Sequence, residues 1–160
     1  MTRTARIRPE TSARRSRAAG AYRETSPNGG KKSRGRVLVV DDEMLIRWSV
    51  AQILTHAGYD VAEAGDGKEA LRCVNAEPRP DVIFLDYRLP DSNDLRLLQT
   101  IRGLAPATPV IMITASATSE LMSSAVGLGA HCVINKPVEL HDLVPLVEQA
   151  LASRPNGLEP

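Results

Sequence analysis

The chain has 160 residues, 42% of them hydrophobic and 24% charged, with a formal net charge of +1. That length suits one domain with a full core and leaves little room for two. No run of about 18 apolar residues occurs and no apolar secretory stretch opens the chain, so neither a membrane span nor export is expected, and the protein reads as cytoplasmic.

The near-neutral total hides a polarity. Residues 1–35 hold ten Lys/Arg and two acids, net +8, whereas the remainder holds ten bases and seventeen acids, net −7. The first segment is rich in Arg, Ser, Thr, Gly and Ala, with Ile7 and Tyr22 almost its only large apolar side chains. It cannot bury enough surface to offset its ordering entropy, so a disordered basic tail is expected over 1–35. Its composition suits a passive tail, a transit-like leader, or an electrostatic contact for nucleic acid or an anionic surface.

From Arg36 onward, strand-like apolar runs alternate with helix-period segments. RVLVV (36–40) reads as a first strand. A helix over 43–58 follows, with apolar residues at Leu45, Trp48, Val50, Ile53 and Leu54, and Gly58 stops it. YDVAEA (59–64) is a weaker strand, and the helix GKEALRCVNAE behind it ends before Pro78. DVIFLD (81–86) is apolar enough for a strand covered on both faces.

A helix is expected over 93–105, a strand over 109–114, a helix over 118–129, a strand over 130–135 and a last helix over 139–152, with 153–160 a flexible C-terminus. Pro145 inside the last helix predicts a kink or a late start. Five strands alternating with five helices predict an open, doubly wound parallel sheet. Cys73 and Cys132 fall in a helix and a strand without metal-ligand spacing, so two buried reduced thiols are expected. His56, His131 and His141 share no spacing and read as structural.

In such a sheet, functional groups gather beyond the carboxyl ends of the strands. Asp41 and Asp42 end the first strand, Asp86 the third and Thr114 the fourth, while Lys136 lies one residue past the fifth. Crowded carboxylates repel unless solvated or neutralised by a cation, and their oxygens suit Mg2+. Asp86, at the centre of the sheet, is the best-placed nucleophile for an acyl phosphate. Thr114 and Lys136 could then bind phosphoryl oxygens. Each residue alone has a bland reading as a cap, turn or surface group; the five together do not. Glu43 is expected to start the first helix, where its charge suits the helix dipole.

VLVVDDE, VIFLDYRLPDSNDLRLL, VIMITA and INKPVEL resemble the motifs of response regulator receiver domains, and the match runs over 36–152. The resemblance implies a flavodoxin-like sheet with strand order 2-1-3-4-5. It implies phosphorylation by a sensor histidine kinase or a histidine phosphotransfer protein. Asp86 matches the phosphoacceptor, and Asp41, Asp42, Asp86 and the backbone carbonyl of Arg88 match the Mg2+ site. Thr114, with Ala115 behind it, matches the switch, and Lys136 the lysine of the KP motif. DDEMLIRWSV is similar to receivers of the NtrC type, but neither an ATPase motif nor room for a helix-turn-helix follows. A stand-alone receiver is therefore expected, its output read by a downstream protein partner. The same face, around helix four, strand five and helix five, would serve a homodimer.

Val133 stands where family members often carry an aromatic side chain, so the aromatic half of the usual coupling to the threonine is missing and phosphorylation is expected to be read through the loop at Thr114 and Ala115. Asp94 replaces a glycine common eight residues past the acceptor. Arg88 and Ser116 occupy positions that influence water access, favouring a longer phosphate lifetime than in fast chemotaxis-type receivers. Besides a phosphoacceptor that is not a metabolic enzyme, the sequence is compatible with two other functions. One is a phosphorylation-independent interaction module with a degraded switch. The other is a nucleic-acid-binding regulator acting through the basic tail, although direct DNA binding is not expected. A phosphatase or phosphomutase would need a second acid two residues past the nucleophile, where Arg88 stands.

Overall fold

The computed structural model describes residues 32–154. Most of the expected basic tail (1–31) and most of the expected flexible C-terminus (155–160) lie outside the described residues. In chain order the elements are β1 (Arg36–Val40), α1 (Met44–His56), β2 (Asp60–Ala64), α2 (Gly67–Asn75), β3 (Val82–Asp86), α3 (Arg96–Leu104), β4 (Val110–Thr114), α4 (Ser119–Gly127), β5 (Cys132–Asn135) and α5 (Leu143–Ala152). The strands form one all-parallel sheet in the order β2-β1-β3-β4-β5, as expected for the flavodoxin-like fold.

Side-chain alternation along the strands builds two cores. Ile83 and Leu85 of β3 pack with residues of α2, α3 and α4, whereas Val82 and Phe84 pack with residues of α1 and α5. Every residue of β3 and β4 is buried. This is why VIFL and VIMI are continuous apolar runs instead of alternating ones.

Helix α1 ends as its glycine predicts. Gly58 takes a φ of 95°, its N–H donates to Thr55 O at 3.0 Å, and Tyr59 N–H donates to Leu54 O at 3.1 Å. That is the Schellman arrangement, which only a residue free of a Cβ adopts cheaply. The apolar positions that marked this helix in the sequence divide. Val50 and Leu54 reach the core and Ile53 packs against it, but Leu45 and Trp48 are 74% and 57% exposed.

Two helices start later than the sequence suggests. Asn93 and Asp94 stay in the loop before α3, where Asp94 accepts a hydrogen bond from Arg96 N–H at 2.9 Å, the local turn chemistry that competes with helix. A 3-10 turn over Leu140–Asp142 precedes α5, so Pro145 falls in the first turn of that helix. There its missing N–H removes no intrahelical bond, and the late start is the alternative that holds. Both thiols are free; Cys73 is buried, but Cys132 is only half-buried, contrary to expectation, because β5 is an edge strand.

Residues 32–35 precede β1 and fall inside the expected tail, yet Arg34 is tied to the domain. Its guanidinium lies 5.0 Å from the Tyr59 ring centre and donates to Ala57 O and to Glu148 at 3.2 and 2.6 Å.

Candidate functional site

The carboxyl ends of β1, β3 and β4 open onto one rim, because parallel strands joined by right-handed crossovers all point the same way. Asp41 and Asp86 are buried there, 2% and 5% exposed, while Asp42 is open to solvent. One carboxylate oxygen from each of Asp41, Asp42 and Asp86 lies within 4.8 Å of the others.

Lys136 follows β5 directly and reaches across the rim. Its Nζ is 2.8 Å from Asp86 Oδ2, 2.9 Å from Asp41 Oδ2 and 3.2 Å from Glu43 Oε1. Burial alone would push the Lys136 pKa down, but the Asp86 and Asp41 carboxylates outweigh it and hold the ammonium above the usual lysine value. Burial pushes the Asp41 carboxyl up, against the opposing pull of Lys136 and of the Glu43 N–H, which donates to Asp41 Oδ1 at 2.8 Å.

Asp41 Oδ2 is buried, and the Lys136 ammonium 2.9 Å away is its charged neighbour. One ammonium shared between the Asp41 and Asp86 carboxylates leaves the rim with more negative than positive charge. Three carboxylates whose oxygens converge within 4.8 Å fit a hard divalent cation that takes only oxygen ligands.

The remaining expected residues divide by distance from this cluster. Arg88 is exposed and its N–H donates to Asp86 Oδ1 at 3.1 Å, which fixes the carboxylate's orientation. Thr114 is buried at the end of β4, and its Oγ1 accepts from Ser116 N–H at 3.2 Å. Ala115 and Ser116 are exposed in the connection to α4. Val133 lies apart from the rim, paired with Met112 in the sheet and half-buried against the α2, α3 and α4 core.

Three contributors to the rim had no clear signal in the sequence. Glu43 does precede α1, but its carboxylate turns to Lys136 and makes no capping hydrogen bond. Arg47 donates to the backbone carbonyl of Asp41 at 2.6 Å and to Glu63 at 3.2 Å, bracing the β1 end against β2. Asp91, in the β3–α3 loop, accepts from Gly67 and Lys68 N–H at 2.7 and 3.0 Å and so ties that loop to the start of α2.

Comparison with known proteins agrees with this geometry. Residues 37–148 match the family model described as the response regulator receiver domain. The chain is 34% identical over 118 residues to the transcriptional regulatory protein PdtaR of Mycobacterium tuberculosis H37Rv, covering 73% of this chain and 57% of that one. It is 37% identical over 119 residues to the DNA-binding transcriptional regulator NtrC of Escherichia coli K12, covering 74% of this chain but 25% of NtrC. It therefore spans less than two thirds of these relatives. Among solved structures, the NtrX receiver domain from Brucella abortus is 38% identical with a TM-score of 0.67, covering 73% of this chain and 98% of that one. A CheY-like receiver domain protein from Methanospirillum hungatei JF-1 is 33% identical with a TM-score of 0.70, covering 74% and 94%. Among the described residues no helix is long and apolar enough to cross a membrane. With its parallel sheet in this strand order, its acidic rim and its lysine after β5, the chain belongs to the response regulator receiver domains of two-component signalling.

Proposed function

We propose that this receiver is a Mg2+-dependent phosphoacceptor. Asp86 takes a phosphoryl group from the phosphohistidine of a sensor histidine kinase or a histidine phosphotransfer protein, and the product is read by a downstream protein. The observation that carries this reading is the setting of Asp86: a carboxylate 5% exposed at the tip of the central strand, with an ammonium 2.8 Å away. Arg88 N–H holds its other oxygen, so the group is oriented before a donor arrives.

In the transfer, an Asp86 oxygen forms a bond to phosphorus as the P–N bond to the donor imidazole breaks and its electron pair returns to the ring. Asp41, Asp42, Asp86 and the Arg88 carbonyl would hold Mg2+, which would neutralise phosphoryl oxygens approaching three carboxylates. Lys136 can turn from Asp86 to a phosphoryl oxygen without leaving the rim. The Thr114 hydroxyl and the Ala115 N–H would meet the others. The exposed Arg88 and Ser116 side chains would control water access and lengthen the phosphate's lifetime. The α4, β5 and α5 face, where Met122 and Val126 are 39% and 53% exposed, suits a downstream partner or a second copy.

Incubation with acetyl phosphate and Mg2+, followed by intact mass measurement, tests this. Wild type gains the mass of one phosphoryl group and Asp86→Ala does not. Unlabelled wild type would overturn the phosphoacceptor reading, and equal labelling of the variant would move the site elsewhere.

A further inference from the structure

Two adjacent residues at the tip of β5 hold different things. Lys136 reaches back to Asp86 and Asp41 at 2.8 and 2.9 Å. Asn135 turns instead to the connection between β4 and α4, where its Oδ1 accepts from Ala117 N–H at 2.8 Å. The same two residues grip the end of β4: Asn135 is the sheet partner of Thr114, and Lys136 N–H donates to Thr114 O at 2.8 Å.

The other hydrogen bonds found in this connection are local to it. Ser116 N–H donates to Thr114 Oγ1 at 3.2 Å, and Thr118 Oγ1 accepts from Leu121 N–H at 3.2 Å to cap α4. Asn135 is thus the side chain that fastens the loop to the sheet across 18 residues of sequence. In this arrangement the Thr114 hydroxyl is engaged by its own loop, not by the acidic cluster.

We infer that Asn135 is a positioning residue that latches the β4–α4 loop in the resting state, and that occupation of Asp86 is read by release of this latch. The inference rests on the phosphoacceptor reading of Asp86. For the Thr114 hydroxyl and the Ala115 N–H to reach a phosphoryl group there, the loop must move toward the tip of β3 and draw Ala117 off Asn135. Lys136 leaves Asp86 for a phosphoryl oxygen in the same event, and one peptide unit joins it to Asn135. Loss of the acid–lysine pair and loss of the latch are thereby coupled through the backbone. This route needs no aromatic side chain on β5, where Val133 is half-buried against the core on the α2, α3 and α4 side.

An exposed hydrogen bond between neutral groups shifts a two-state equilibrium by about two- to tenfold. The test uses beryllofluoride with Mg2+ as a phosphoryl mimic, followed by backbone amide NMR on wild type, Asn135→Ala and Asn135→Asp. In Asn135→Ala the beryllofluoride concentration that converts the loop resonances falls by about two- to tenfold, and the Ala117 amide exchanges faster before any mimic is added. Asn135→Asp keeps an oxygen acceptor and restores protection of that amide. If wild type responds but the Asn135→Ala midpoint stays or rises, the latch is overturned while the phosphoacceptor reading stands. Failure of Asn135→Asp to restore protection overturns the latch equally. A wild type that shows no response to beryllofluoride and Mg2+ overturns the phosphoacceptor reading and the latch with it.

Discussion

Asp42 differs from the two carboxylates beside it because solvent, and no ion pair among the described residues, carries its charge. Asp41 and Asp86 share Lys136; Asp42 only repels them, across no more than 4.8 Å. In high-dielectric surroundings two such repulsions cost about 1 kcal/mol in all. Asp42→Asn should therefore stabilise the cation-free protein by about that amount, raising its melting temperature by about 3–5 °C in EDTA. The same change should remove most of the melting-temperature gain that Mg2+ gives wild type, since one ligand charge is lost. Thermal melts with and without Mg2+ check both halves, and a wild type indifferent to Mg2+ would refute the cation site. Asp41, Asp42 and Asp86 were legible because strand ends can be counted from apolar runs. The reach of Glu43 to Lys136 was not, because nothing in a sequence tells a helix-start acid whether to face its own N–H groups or a lysine 93 residues away.

At the scale of elements, the start of α2 shows how a loop near the rim is held. Asp66 caps Glu69 N–H at 2.8 Å, and Asp91 takes the N–H groups of Gly67 and Lys68. A side chain at 67 could not be accommodated without movement, since its Cβ would lie 3.1 Å from both Asp91 Oδ1 and Leu97 Cδ2. The Gly67 N–H holds the Asp91 carboxyl below the usual carboxylate range. A lowered folded pKa makes this contribution complete above the unfolded value of about 3.9, and it is lost as pH falls through the folded value. Asp91→Ala should cost about 1 kcal/mol near neutral pH, the scale of a lost cap, and the difference from wild type should shrink in melts as pH falls below the usual carboxylate range. Pro145 makes the opposite case. It occupies the first turn of α5, so Pro145→Ala should alter stability by less than about 1 kcal/mol, where a proline in a helix interior costs about 3 kcal/mol. Denaturant titration distinguishes these values. The sequence placed the helix itself but left its start open, because a 3-10 turn and a first α-turn carry the same apolar spacing.

At the scale of the whole molecule, the parallel winding was legible from the alternation of strands and helices, whereas the strand order came from the resemblance to receiver domains; the two cores follow from alternation along β3. The surface was harder to read. Helix α1 is apolar on more than one side, and periodicity does not say which side the sheet covers. The structure buries Val50, Ala51 and Leu54 and leaves Leu45 and Trp48 outside; Leu140 is likewise 52% exposed. Between α1 and the β5–α5 loop, Leu45, Ile46, Pro137, Val138 and Leu140 line a groove of about 280 Å3 that also touches Asp41 and Lys136. Under the proposed phosphoacceptor function, an apolar groove abutting the acidic rim would give a protein donor a footing that a small phosphodonor does not need. Leu45→Asp should accordingly slow phosphotransfer from a histidine phosphotransfer protein by about tenfold, the effect of losing one contact worth about 1.4 kcal/mol. Its labelling by acetyl phosphate should stay at the wild-type rate, because Leu45 is largely solvent-exposed and contributes no ligand to the rim. Equal slowing with both donors would place the effect in the acidic site, and no slowing with either would remove the groove from the donor's path.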